Sequence, residues 1–317
     1  MGRINELRLV TRVAQMYHVE RKRQADIAAH LHLSQATVSR MLKRAEAEGI
    51  VRTSVIPPAG TFSDLEDGLR HRFGLPEVVV VDCSEDRDGA IMSRIGEAAA
   101  HLLEATLIQG EVIGVSSWSQ TIFKMVENIH PQRGTLARYV VQTLGGMGDP
   151  SVQTHATQLT TRLARLTGAE PKLLPVQGLA SSREAKLLML SDPFVRETMD
   201  LFDSITLAIV GIGAVEPSEL LARSGNIFSA RELSDLAEAG AVGDISLRFF
   251  DSSGKFVKTP LDDRVIGLPP EALSGIRRVI ALAGGQKKTP AIAGALRTGL
   301  LHMLITDRFT AERLHSL

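Results

Sequence analysis

The sequence predicts an α/β protein built from an N-terminal winged helix-turn-helix domain and a larger, Rossmann-like α/β domain. Three observations lead there. Apolar residues recur at helical spacing through the first fifty residues. Pro57-Pro58-Ala59-Gly60 then breaks any regular element. Beyond it, short and nearly continuous apolar runs alternate with amphipathic stretches, the pattern of a parallel sheet covered on both faces. The expected domains are residues 1–56 and 57–317.

Length and composition allow this division. The chain has 317 residues, of which 44% are hydrophobic and 23% charged, enough for a small and a large core. Formal charge is zero overall, but residues 1–56 carry ten Lys/Arg against five Asp/Glu. A basic N-terminal piece on a mildly acidic body points to a polyanionic partner at that end. The single cysteine, Cys83, excludes an internal disulfide framework and fits a reducing cytoplasm. Met1 to Tyr17 lacks the continuous apolar stretch of a signal peptide, and no run of about 18 apolar residues suggests a membrane span.

Residues 4–18 read as a first amphipathic helix through Ile4, Leu7, Val10, Val13, Ala14 and Tyr17. The basic knot Arg21-Lys22-Arg23 follows. Two short helices flank His32-Leu33-Ser34. Ile27, Ala28 and Leu31 form the inner face of one. Ser34 caps the other, whose inner face is Val38, Leu42 and Ala45. Gln35, Ala36, Thr37, Ser39, Arg40, Lys43 and Arg44 then face outward. Short polar side chains in the first turn suit base edges in a DNA groove, and the longer basic ones suit phosphates or guanine. Gln24, which opens the preceding helix, joins the expected DNA-binding set. Gly49 to Ile56 reads as a small strand or wing.

In the large domain, Thr61 to Arg72 is an expected linker helix. Strands are expected at Val78–Asp82, Val112–Val115, Tyr139–Thr143, Leu173–Val176, Ile205–Val210, Val279–Ala283 and Leu304–Thr306. Four segments place glycine or small polar residues where such strands end, the edge at which open α/β sheets bind ligands. In the first, Gly114 precedes Ser116, Ser117, Trp118, Ser119 and Thr121 at the start of a helix, where free N–H groups favour an anion. The second holds Gln142, Gly145 and Gly146, where tandem glycines permit close approach or simply a tight turn. The third joins Gly211 and Gly213 to the later Asp244, a candidate acceptor for a sugar hydroxyl or a capping carboxylate. The fourth carries Gly285 and Lys288, a candidate partner for an anionic group or a solvated helix-start charge. No cofactor or metal site is expected.

These motifs, taken in order, resemble the SorC/DeoR sugar-binding regulators along essentially the whole chain. The resemblance rests on Leu33-Ser-Gln-Ala-Thr-Val-Ser-Arg40, Ile113-Gly-Val-Ser116, Gln142-Thr-Leu-Gly-Gly146, Val210-Gly-Ile-Gly-Ala214, Gly240-Ala-Val-Gly-Asp-Ile245, Arg264-Val-Ile-Gly-Leu-Pro269, Ala283-Gly-Gly-Gln-Lys-Lys288, Ala295-Leu-Arg-Thr-Gly299 and Leu304-Ile-Thr-Asp307. The autoinducer-2 repressor branch shares much of it. The resemblance implies a DNA-binding regulator, usually a repressor and often tetrameric. Its C-terminal domain would resemble sugar-phosphate isomerases and deaminases but act as a sensor of a small, phosphorylated carbohydrate. Ser116, Ser117, Ser119 and Thr121 would line a phosphate loop. Asp244 would hold sugar hydroxyls, and Lys288 would reach an anionic or carbonyl part. The chain departs from a plain glycine-rich phosphate loop in reading Ser-Ser-Trp-Ser. The competing reading is an isomerase-like or deaminase-like enzyme with an added DNA-binding domain, with Asp244 and Lys288 as acid/base or Schiff-base groups.

Overall fold

The computed structural model describes residues 2–51, 58, 60–131, 134, 136–146, 150–215 and 228–317. Contacts between Cα atoms divide the chain into two compact units, Met1–Pro58 and Ala59–Leu317. The expected wing strand over residues 52–56 lies outside the described residues, as do Pro57 and Ala59 of the boundary.

In the first unit, α1 (Gly2–Ala14) runs into one π turn at Gln15–Val19. α2 (Gln24–His30) and α3 (Gln35–Ala47) follow. Val13, Met16, Ile27, Ala28, Val38 and Leu42 form one buried cluster, so the predicted inner faces meet one another. His32 turns the chain between α2 and α3 with φ 54°, a conformation that β-carbon-bearing residues seldom adopt.

The second unit begins with α4 (Ser63–Phe73). Its strands are β1 (Glu77–Val81), β2 (Glu111–Val115), β3 (Ala137–Gln142), β4 (Glu170–Lys172), β5 (Leu207–Gly211), β9 (Arg278–Leu282) and β10 (Met303–Asp307), joined in one sheet of order β1-β10-β9-β5-β2-β3-β4. Every pairing in it is parallel. β2 is buried at all five positions, as the unbroken apolar run requires. α5 (Asp88–Thr106), α6 (Gln120–Asn128) and α7 (Pro150–Thr167) cover one face. α4, α12 (Thr289–Arg297) and α13 (Arg308–Ser316) contribute to the core on the other. α8 (Arg183–Leu190) and α9 (Pro193–Asp200) follow β4.

Two expectations change. The fourth strand is Glu170–Lys172 rather than Leu173–Val176. It pairs with Tyr139–Val141 immediately after α7, at the edge of the sheet, where a proline such as Pro171 is tolerated. Asp244 does not end a parallel strand. β6 (Gly213–Ala214), β7 (Ala241–Ile245) and β8 (Arg248–Asp251) form a separate antiparallel sheet, in which Gly213 pairs with Asp244. α10 (Ala230–Glu238) precedes β7, and α11 (Pro270–Gly275) precedes β9.

The strand order places a topological switch between β2 and β5. From β2 the chain builds outward through β3 and β4, then returns to β2's other side and builds through β5, β9 and β10. The crevice beyond the strand ends at such a switch is where open α/β sheets take ligands.

Candidate functional site: a helix face for DNA and a crevice at the strand ends

In the N-terminal unit, α3 is held by its cap. Ser34 Oγ accepts from Thr37 N at 3.1 Å and lies 2.8 Å from Thr37 Oγ1. Arg40 Nη2 donates to Thr37 Oγ1 at 3.3 Å, so the guanidinium lies back along the helix toward its N-terminal turn. Gln35, Ala36, Arg40 and Lys43 are exposed, while Thr37, Ser39 and Gln24 are half-buried. Arg40 and Lys43 form no ion pair among the described residues.

Arg44 behaves otherwise. Its guanidinium donates to Glu48 Oε1 at 2.6 Å and to Glu6 Oε1 at 2.5 Å, and these bonds raise its pKa above the usual arginine value. The side chain expected to reach a phosphate is here paired with two carboxylates and links α3 to α1.

In the large unit, the loop after β2 lies against the end of β5. Ser116 N donates to Ile209 O at 3.1 Å, and a Cβ on Gly211 would sit 2.9 Å from Ser119 Oγ. Ser119 caps α6 by accepting from Ile122 N at 3.3 Å. The first N–H groups of α6 have no partner within the helix and carry the positive end of its dipole. Together they make the neighbourhood of Ser119 receptive to an anion.

Across the switch, Gly213 and Gly285 carry the opposite wall. A Cβ on Gly213 would run into Asp244 Oδ1. Asp244 Oδ2 accepts from Leu247 N at 2.8 Å, closing the β7–β8 turn in which Ser246 and Leu247 both have positive φ. Asp244 is half-buried. Loss of hydration pushes its carboxyl up to about 6, against the lowering effects of the Leu247 N–H and the nearby Lys288 ammonium. Lys288 closes a turn onto Gly285, its N donating to Gly285 O at 3.1 Å. Burial lowers the Lys288 pKa, while Asp244 and then Asp88 favour its charged form. Asp88 opens α5, and a Cβ on Gly285, whose φ is 104°, would lie 2.8 Å from its Oδ1.

The strand ends at this switch therefore bring an anion-receptive helix start at Ser119 to one side of β5 and the charged groups Asp244, Lys288 and Asp88 to the other. Among the described residues no group of three His, Cys, Asp or Glu could hold a metal ion.

Several predicted site residues serve the scaffold. Gly114 lies inside β2, where a Cβ would press on Ile205 and Thr143 at 2.9 Å. Ser117 Oγ is buried against Thr160 Oγ1 at 3.0 Å. The Trp118 indole is buried with Leu144, Phe228 and Phe249, and its Nε1 donates to Gly145 O at 3.1 Å, so its ring is unavailable for stacking. Thr121 is buried in the first turn of α6. Gln142 donates from Nε2 to Leu144 O at 2.8 Å and accepts at Oε1 from Leu174 N at 3.4 Å. Gly145 has no room for a side chain beside Val176 O and Gly178 N. Gly146 exchanges backbone bonds with Val176 and Gly178. The residues of the loop after β3 are thus engaged by the protein's own backbone, beside the loop after β2. Asp88, which the sequence reading did not single out, lies beside Gly285 and interacts electrostatically with Lys288. Its signal was its place as the first residue after the β1 loop to open a helix.

Comparison with known proteins agrees with both halves. Residues 58–316 match the family described as "Putative sugar-binding domain", and residues 20–52 match a winged helix-turn-helix DNA-binding family. The sorbitol operon regulator of Klebsiella pneumoniae is 30% identical over 319 residues, covering 99% of each chain. Its full-length crystal structure is similar with a TM-score of 0.74 over 98% of both chains, at 29% identity. The deoxyribonucleoside regulator of Bacillus subtilis (strain 168) is 29% identical over 301 residues, 95% of each chain. The structure titled "Putative sugar-binding domain of transcriptional regulator DeoR", from Pseudomonas syringae pv. tomato, is 42% identical with a TM-score of 0.63, covering 79% of this chain and 97% of that one. The chain belongs to the SorC/DeoR-type family of transcriptional regulators, which join a helix-turn-helix DNA-binding domain to a sugar-binding domain.

Proposed function

We propose that this regulator represses a carbohydrate-utilisation operon and that a phosphorylated sugar, bound at the sheet edge, sets its affinity for the operator. The observation that carries the reading is the meeting, at one topological switch, of the α6 N-terminus with the Asp244–Lys288 pair. The phosphate lies against Ser116–Ser119, and Asp244 and Lys288 hold the hydroxyl or carbonyl end. Residues 1–56 form the DNA-binding domain and residues 57–317 the effector domain.

On the DNA side, Gln35, Ala36, Thr37, Ser39 and Arg40 read base edges, while Lys43 and Gln24 position the helix on the backbone. One recognition helix covers one half-site, so the chain acts as a homo-oligomer, a dimer or tetramer, on a two-fold related operator. It works in the cytoplasm, where the operator is.

Operator titrations by fluorescence anisotropy, with and without a panel of sugar phosphates, test the reading. A sugar phosphate that shifts operator affinity must be bound with an affinity that operator shifts by the same factor. Operator affinity indifferent to every saturating sugar phosphate would refute the coupling.

One observation favours a second reading. A carboxyl pushed up to about 6 beside a half-buried lysine is also the equipment of an acid/base catalyst. The relatives are named as regulators, which supports a sensor. Turnover of pentose or hexose phosphates that disappears in Lys288→Ala would establish the enzyme instead.

A further inference from the structure

The hydroxyl-binding end of the crevice holds an uneven set of charges. Lys288 supplies one cation. Asp244 faces it from β7, and Asp88 faces it from the start of α5. Asp88 is not needed as a helix cap. The N-cap of α5 is Arg87, and no side-chain cap bond is made there. Among the described residues, the Asp88 carboxylate is engaged by no hydrogen bond or ion pair, and it stays exposed to solvent. It stands over Gly285, where any side chain would begin 2.8 Å from its Oδ1. The glycine clears the space between Asp88 and the turn that carries Lys288.

The distance to the anion-receptive end matters. β9, which leads into Gly285, lies two strands from β2, about 10 Å across the sheet. A ligand held by phosphate at Ser116–Ser119 presents its far end to Asp88, Lys288 and Asp244.

The chemistry of that far end follows from the charges. A hydroxyl donates to a carboxylate and accepts from the ammonium, so it satisfies both kinds of group. A second phosphate or a carboxylate can pair with Lys288, but it brings negative charge against Asp88 with no proton to offer. We propose that Asp88 is a specificity-determining residue, admitting a neutral, hydroxyl-bearing end of the effector and rejecting a second phosphate or a carboxylate. The inference rests on the sheet edge being the effector site.

The test uses the full chain and isothermal titration with four probes. Ribose 5-phosphate and fructose 6-phosphate have a neutral far end; fructose 1,6-bisphosphate and 6-phosphogluconate have an anionic one. The wild type should favour the better monophosphate over both anionic-ended ligands by about tenfold or more. Asp88→Asn should reduce that preference to within about threefold, chiefly by tightening the anionic-ended ligands, and Asp88→Glu should restore it. Unchanged discrimination in Asp88→Asn overturns the proposal, as does a wild type that binds the bisphosphate as tightly as the monophosphates. Lys288→Met separates the two levels of the argument. If it leaves monophosphate binding intact, or if no probe binds the wild type, the site itself is misplaced. If it abolishes binding while Asp88→Asn changes nothing, the site stands and only the role of Asp88 falls.

Discussion

Gly213 is a glycine because Asp244 occupies the space its side chain would fill. A Cβ there would run into Oδ1, and Cγ is only 3.1 Å away. The two residues are also partners in the β6–β7 ladder, so neither can withdraw without breaking that pairing. Gly213→Ala should therefore push the carboxyl out of place. Overpacking of this kind costs about 1–3 kcal/mol. Thermal unfolding should show the loss, and affinity for a sugar phosphate should fall by about tenfold or more in the same variant, a factor worth about 1.4 kcal/mol.

Asp244 makes stability depend on pH in a definite direction. Its carboxyl is pushed up to about 6 from an ordinary value of 3.8. The folded state therefore holds a proton that the unfolded state has released, and stability falls as pH rises from about 4 through about 6. Asp244→Asn keeps an acceptor for the Leu247 N–H and removes the buried charge. It should unfold at the higher temperature above pH 7, by an amount on the order of 2–3 kcal/mol, with the gap closing below about pH 4. Melting curves across that range check the sign.

On α3, adjacent basic residues should separate cleanly. Arg40→Ala should weaken operator binding by about 1–3 kcal/mol and relax base choice at one position. Lys43→Ala should weaken all DNA alike and lower the salt slope by about one. Arg44→Ala should leave operator affinity nearly unchanged, because Arg44 is already paired with Glu6 and Glu48. Its effect belongs to stability and should be small, as for other solvent-exposed pairs. Titrations at two salt concentrations distinguish the three.

Trp118 is the sequence's one tryptophan, and it lies within the loop after β2, with its indole buried against Gly145. Its buried indole should emit at short wavelength. Binding of a phosphate at Ser116–Ser119 should change that emission without exposing the ring. Trp118→Phe removes the bond to Gly145 O and should cost about 1 kcal/mol beyond any packing loss, measured by urea denaturation.

What could be read from sequence depended on how local the information was. The helix-turn-helix follows from Ser34, from the spacing of Ile27, Val38 and Leu42, and from a turn of fixed length, all within twenty residues. The parallel sheet follows from runs such as Val112–Val115, buried on both faces. The site was legible only in part, because a glycine before a ligand and a glycine before another strand look alike. Gly145 and Gly146 yield to backbone at 176–178, and Gly211 yields to Ser119. The pairing of Arg44 was not legible because Glu6, its partner, is 38 residues away. The proximity of Asp88 to Lys288 was not legible because its companions come from positions near 244 and 288, a neighbourhood created only when β1, β9 and β7 are brought together.

The proposed effector site draws its two ends from differently organised stretches of chain. The anion grip is contiguous, a single loop and helix start between residues 116 and 122. The far wall is assembled from three separate segments, around residues 88, 244 and 285–288. A substitution in one of those segments leaves the grip's backbone geometry intact. In a site built this way, single side chains of the far wall can be exchanged one at a time without disturbing the loop that would hold a phosphate.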